Sequence, residues 1–215
     1  VKVTKKIFNL INRIEKKGDL NYLKVKDYPK FIRGEEAKGL SIIKKVLKEK
    51  TQGSCFFIDA KRDFEYFYFK KSQNFDLDKV DEDLLKGENK EYYQGSKLLI
   101  KHNNIYPEAL YTKKDTCFTS SIYSLLHEDP NELMFLCGLL NSVLIQFYTI
   151  YGINNQKGTT INLNQYMIRH LPIINVQKDK REEISKVVEL IAFDVEDNEK
   201  LNQRSINFVK KLNDR

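Results

Sequence analysis

LMFLCGLLNSVLIQFYTIYGINNQKGTTINLNQYMIRHLPI, residues Leu133 to Ile173, is the stretch on which the fold turns. Its first half is apolar and its second half is polar without a single acid. Leu136, Leu139, Leu140, Val143, Leu144, Phe147, Tyr148 and Tyr151 recur at helical spacing. Met134, Cys137, Gly138 and Ile145 make the remaining faces apolar too, so the helix is expected to be covered on most sides. Just upstream, Asp129 suits the N-cap, Pro130 the first helical position and Glu132 the capping-box position. Gly152 is the expected stop. Residues 133–153 carry no charged side chain, which is spanning length. Asn141, Ser142 and Gln146 interrupt the run, however, and the next 20 residues are polar. A buried core helix is therefore the expectation, not a membrane span.

From Ile153 to Lys178 no acidic residue occurs. Asn154, Asn155, Gln156, Lys157, Thr159, Thr160, Asn162, Asn164 and Gln165 crowd this segment. Amides and hydroxyls can read base edges, and lysine can hold phosphate. The same residues also make an ordinary surface loop, with Asn and Gly supplying turns. The residues alone leave both readings open.

Working outward, residues 2–17 read as an amphipathic helix: Val3, Ile7, Leu10, Ile11 and Ile14 share a face, and Gly18 ends it. Residues 20–34 read as extended chain or a short strand, broken at Pro29. Gly34 and Gly39 permit a tight turn, and residues 40–50 fit a short helix or a strand pair. SCFFIDA and the aromatic run DFEYFYFK read as strands, the latter buried on both faces. Residues 72–96 are loop-rich and partly acidic. KLLIKHNN is a short strand framed by Lys97, Lys101 and His102; IYPEALYTKK and CFTSSIYSLL are two more. Residues 179–213 read as helical, with two stripes out of phase and a break expected near Asp194–Lys200.

The expected fold class is α+β: small, mostly antiparallel strands packed on a buried central helix, with helical segments at both ends. The divisions expected are an N-terminal helix over 1–19, a core domain over 20–178 and a helical segment over 179–215. At 215 residues, 41% hydrophobic and 12% aromatic, the chain can bury a real core. Lysine and arginine outnumber acids 37 to 30, a formal charge of +7, which admits a polyanion partner or simply a lysine-rich surface. Cys55, Cys117 and Cys137 form no CxxC pair, and together with the lack of an apolar signal core they point to a reducing, cytoplasmic setting. A start at Val1 suggests a fragment or a processed chain.

Signatures of bond chemistry are missing from the sequence. It has no HExxH, no P-loop, no GxGxxG and no GxSxG. His102, His127 and His170 are scattered, so no metal set is expected, and the acids of 76–91 look like a solvated run.

Four short motifs, in order, resemble one family. They are FIRGEEAKGL, KLLIKHNN, the LLNS helix with its Gly-Thr loop, and LPI leading into a charged helix. This arrangement resembles the TaqI-like C-terminal specificity domain of adenine-specific DNA methyltransferases and fused restriction–modification enzymes. It is also similar in plan to the target recognition domains of type I restriction specificity subunits. The resemblance covers about residues 20–195. Two departures stand out: LPII at 171–174 replaces the usual LPIP, and Ala37 and Lys38 replace a more hydrophobic, Gly-containing pattern. No (Asn/Asp/Ser)-Pro-Pro-aromatic tetrapeptide and no Gly-rich S-adenosylmethionine loop is present.

The resemblance implies a recognition half that reads a short sequence in duplex DNA. A methyltransferase catalytic domain, in the same or another chain, would then flip the target adenine and methylate its N6 with S-adenosylmethionine. This chain itself would hold no cofactor and no catalytic residue. The DNA-binding candidates, chosen from loop placement and chemistry, are Arg33, Lys38, Lys97, Lys101, His102, Asn103, Asn104, Lys113, Lys114, Asn154, Asn155, Gln156, Lys157, Thr159, Thr160 and Arg169. The alternative is a protein-interaction module built on the terminal helices, with an incidentally basic surface.

Overall fold

A computed structural model describes residues 4–49, 52–69, 73–81, 85, 90–153 and 163–197. The amphipathic helix forms as α1, Lys5–Lys17, with Thr4 accepting from the Ile7 amide and Ile11 and Ile14 buried. A two-residue strand β1, Gly18–Asp19, follows directly. Then come β2 (Phe31–Arg33), α2 (Ala37–Lys48), β3 (Cys55–Ile58), β4 (Asn74–Phe75), β5 (Lys97–Lys101), β6 (Glu108–Thr112), β7 (Thr116–Phe118) and β8 (Ile122–Leu125). The C-terminal third holds α3 (Pro130–Leu140), α4 (Val143–Tyr148), α5 (Gln165–Arg169), β9 (Ile173–Ile174) and α6 (Lys178–Asp197).

The strands make an antiparallel sheet in the order β2-β8-β5-β6 and a mixed sheet in the order β4-β3-β7. β1 pairs with β9, with Gly18 opposite Ile174. Gly18 is needed there because a Cβ would stand 2.7 Å from Pro172 of the LPI run. The architecture is α+β.

The four-stranded sheet is a partition between two cores. Strand alternation sends Leu98 and Ile100 of β5, Ala109 and Tyr111 of β6, and Tyr123 and Leu125 of β8 to one face. There they meet α1, α3, α4 and the Leu163–Ile173 segment. Leu99, Leu110 and Ile122 point the other way, into a second core with α2, β3, β4 and β7. A sheet covered on both faces explains why KLLIK reads as a plain apolar run: each fully buried Leu or Ile contributes about 1.5–3 kcal/mol of transfer free energy.

Five expectations are corrected or resolved. The long helix of 130–152 is two helices. α3 ends at Asn141, Ser142 caps α4 through the Ile145 amide, and a π-helical turn at Thr149–Ile153 completes the run. The two axes bend by 57°, and among the described residues no single helix is long and apolar enough to cross a membrane. The break has a use: the buried Asn141 amide donates to the Ala109 carbonyl and accepts from the Ala109 N–H, both at 2.8 Å, like one more residue of strand.

Glu132 does not close a capping box. Asp129 caps alone, and Glu132 turns inward to accept from Tyr22 and Tyr28 at 2.7 Å and to pair with Arg181 of α6. Over its described residues 63–69, DFEYFYFK is not a strand: Phe67 adopts φ 67°, and Phe64 and Phe69 form an isolated bridge across that turn. CFTSSIYSLL splits at Thr119–Ser121 into β7 and β8, which join different sheets. Of residues 40–50, 40–48 resolve as the body of α2, and residue 50 lies outside those described. Of the break expected near Asp194–Lys200, α6 shows none through Asp197, and residues 198–200 lie outside those described.

Candidate nucleic-acid interface

The four-stranded sheet has two ends, and the candidate residues fall on both. At one end β2 finishes at Arg33, β5 at Lys101, and β8 begins after the Thr119–Ser121 turn. The segment after β2 runs closely along that turn: Gly34 N–H donates to Ile122 O at 3.0 Å, Glu35 N–H to Phe118 O at 2.9 Å, and Ser120 N–H back to Glu35 O at 2.9 Å. Gly34 is required by this approach, since a Cβ would lie 2.5 Å from the carbonyls of Phe118 and Thr119. Glu35 is buried behind it and accepts from Tyr93.

The Ser120 carbonyl is the hub. It accepts from Arg33 Nε at 2.7 Å and from His102 Nε2 at 2.8 Å. A carbonyl only accepts, so His102 carries its proton on Nε2, and Nδ1 is left buried without a partner. Burial pushes the His102 imidazole below its ordinary value; the bond to Ser120 opposes this and the Arg33 charge adds to it. Next to it the exposed Asn103 donates to Ser121 Oγ at 2.6 Å. Lys101 pairs with Glu108 at 2.9 Å, and Asn104 donates to the same carboxylate. Arg33 also pairs with Glu36 at 2.7 Å. Lys38 is exposed on the first turn of α2, close behind Glu36. Leu163 N–H donates to His102 O at 3.1 Å, which moors the start of the 163–178 segment at this end.

The opposite end is different. Lys97 is fully buried, and its Nζ donates to the carbonyls of Tyr93, Gly95 and Lys114. Burial lowers its ammonium pKa to about 8, with Asp115 acting against the shift. Lys113 reaches Glu189 of α6 at 3.6 Å, and Lys114 lies over the rings of Phe56 and Phe69 at 5.6 and 5.8 Å.

Three candidates are corrected by their burial. Lys97 is an interior tie with all three protons placed, so it does not reach a phosphate. Arg169 is buried too: it donates to Leu23 O at 2.8 Å and Tyr28 O at 3.0 Å and stacks over Phe31. His102 is an interior, neutral hydrogen-bonding group rather than a cation on the surface. Arg33, Lys38, Lys101, Asn103 and Asn104 are brought together at the first end, and Lys113 and Lys114 stand at the second. Asn154, Asn155, Gln156, Lys157, Thr159 and Thr160 lie outside the described residues.

The description of the TaqI-like C-terminal specificity domain matches residues 27–173. The chain belongs to this family. In this specificity domain, RGEE, LLIK, LLNS and LPI all fall inside the matched range, while α1 and α6 flank it. The match is shorter at both ends than the 20–195 read from the motifs. Among solved structures, the type IIG restriction endonuclease BpuSI matches with a TM-score of 0.57 at 14% identity, over 86% of this chain and 28% of that chain. At such identity the likeness is one of fold, and the specificity domain spans about 28% of BpuSI's length. None of the curated proteins matches the chain.

Sequence reasoning missed two features of this interface. The Thr119–Ser121 turn was hidden inside an apparent strand, although two adjacent serines between apolar runs are a turn signal. Tyr166 is not singled out in the sequence, and His170 is read there only as one of three scattered histidines. They lie four apart in the acid-free stretch, which places them on one face of any helix there.

Proposed function

We propose that this chain recognises a short sequence in duplex DNA for a restriction–modification system. The observation that carries this reading is membership of the specificity-domain family over 27–173. The end of the sheet at Arg33, Lys38, Lys101, Asn103 and Asn104 is the DNA-facing side. Exposed Lys38 contributes salt-sensitive phosphate attraction, and Asn103 offers amide groups to base edges. The chemistry resides in a catalytic domain that flips an adenine and methylates N6, with S-adenosylmethionine as the methyl donor there, and DNA cleavage where that domain is fused to an endonuclease. The setting is cytoplasmic, with Cys55, Cys117 and Cys137 as free thiols.

The test is selection from a pool of random duplexes of about 30 base pairs at low and moderate salt. Enrichment of one short sequence, with affinity falling roughly tenfold or more as salt rises, is the expected result. Binding with neither preference nor salt dependence rejects the proposal. A second reading, a protein-interaction module, draws on exposed Phe8 and Leu10 of α1 and Leu190 of α6. It predicts oligomers or partner complexes, seen by light scattering, that duplex DNA does not alter.

A further inference from the structure

We propose that Tyr166, backed by His170, is a contact for the sugar–phosphate backbone of duplex DNA, presented on a helix that is locked from behind. The inference rests on the DNA-recognition reading above and adds a residue pair and a mode of contact to it.

α5 is short, yet it is held on one side by its own side chains. Asn164 Oδ1 accepts from the Met167 N–H at 2.8 Å, Gln165 Nε2 donates to Phe31 O at 2.9 Å, Ile168 is buried, and Arg169 is fixed to two carbonyls of the 20–28 segment. On the other side Tyr166 is 70% exposed, more than any other large apolar side chain among the described residues. His170 stacks on it with ring centroids 4.0 Å apart and donates from Nδ1 to the Tyr166 carbonyl at 2.7 Å. That bond places the His170 proton on Nδ1 and leaves Nε2 as the second polar atom of the pair.

An exposed ring held this way loses little freedom when something packs on it, which favours its use as a contact. The partner chemistry follows from charge and place. Residues 163–178 contain no acid to repel a polyanion, and Leu163 ties the start of α5 to the Arg33–Asn103 end of the sheet. In an intact duplex the base faces are stacked on one another. A ring presented from a fixed helix therefore lies against deoxyribose, with its hydroxyl donating to a phosphate oxygen. Such a contact sets register and carries no sequence preference of its own.

The chain contains no tryptophan, so Tyr166→Trp installs a single fluorescent reporter at this point. Val25→Trp, at a side chain 64% exposed in the 20–27 turns, is the control. With the random duplex pool as probe, the expected result is a blue shift and reduced iodide quenching for Tyr166→Trp and no change for Val25→Trp. Tyr166→Ala is expected to weaken duplex binding by about tenfold and Tyr166→Phe by about threefold, equally for every sequence. Wild-type binding with unchanged emission at Tyr166→Trp and undiminished affinity of Tyr166→Ala overturns this inference and leaves the recognition reading standing. Equal protection at both reporter positions overturns it as well. A wild-type chain that binds no duplex overturns the recognition reading, and this inference with it.

Discussion

The two ends of the four-stranded sheet use the same residue types to opposite purposes. Lys97 and Lys101 bracket one strand, about 13 Å apart by strand rise. Lys97 is closed over by three carbonyls and holds the Tyr93–Gly95 and Lys114 segments together. Lys101 stays at the rim with Glu108, beside exposed Asn103 and the moored start of the 163–178 segment. One end is therefore a structural closure and the other a surface. A lysine next to a strand says nothing of its role until the fold decides which end is covered.

Breaking the geometry of the surface end is expected to have the largest effect. Gly34→Ala pushes a methyl into the carbonyls of Phe118 and Thr119, and a loss of about 3 kcal/mol in urea unfolding is expected. A loss below about 0.5 kcal/mol would mean that the β2–turn contact is loose.

Lys97→Met tests the closed end. Three carbonyls lose their donor, and a destabilisation of about 2 kcal/mol at neutral pH is expected. Its pH dependence has a defined sign. The folded-state pKa of Lys97, about 8, lies below the ordinary value of 10.5, so the unfolded chain binds more protons between the two. Below about 8 the burial penalty is fully present; it is relieved as pH rises toward 10.5, so the wild type gains stability from this group over that window. Tyr28 and Tyr93, both raised by burial, act in the opposite sense, but only above their ordinary value near 10. The gap between wild type and Lys97→Met should therefore widen from pH 8 to pH 10. A gap that narrows would show that the charged form is the one the interior prefers.

The smallest effects compare the two rims directly. Lys101→Ala is expected to lower the salt slope of duplex binding by about one, with a stability change of about 1 kcal/mol. Lys113→Ala, whose Nζ is 3.6 Å from Glu189, should change stability by less than about 0.5 kcal/mol and leave the salt slope intact. Equal slopes for the two variants would erase the distinction between the ends.

Much of this fold is legible in the sequence where local chemistry and tertiary role agree. The α1 face and the Asp129-Pro130 start of α3 are of that kind. The break at Asn141-Ser142 is not, because apolar spacing continues through it and both pieces are buried. DFEYFYFK has strand composition, but its backbone follows a turn at Phe67 that packs against β6: the Phe67 N–H donates to Ala109 O at 3.0 Å. The candidate site is legible in outline through ordered motifs. Its membership is not, since burial of Lys97, His102 and Arg169 depends on segments distant in sequence: the Lys114 carbonyl, Ser120, and Leu23 with Tyr28.

The Asn141 amide has a further consequence. β6 is the last strand of its sheet, and an outer strand offers open donors and acceptors to any other extended chain. At Ala109 both outward groups are already engaged, by Asn141 and, on the carbonyl, by Phe67 as well. A polar residue at the junction of two apolar helices thus fills the edge groups that Ala109 would otherwise offer to a second extended chain, and the bend between α3 and α4 lies at the residue that makes the contact.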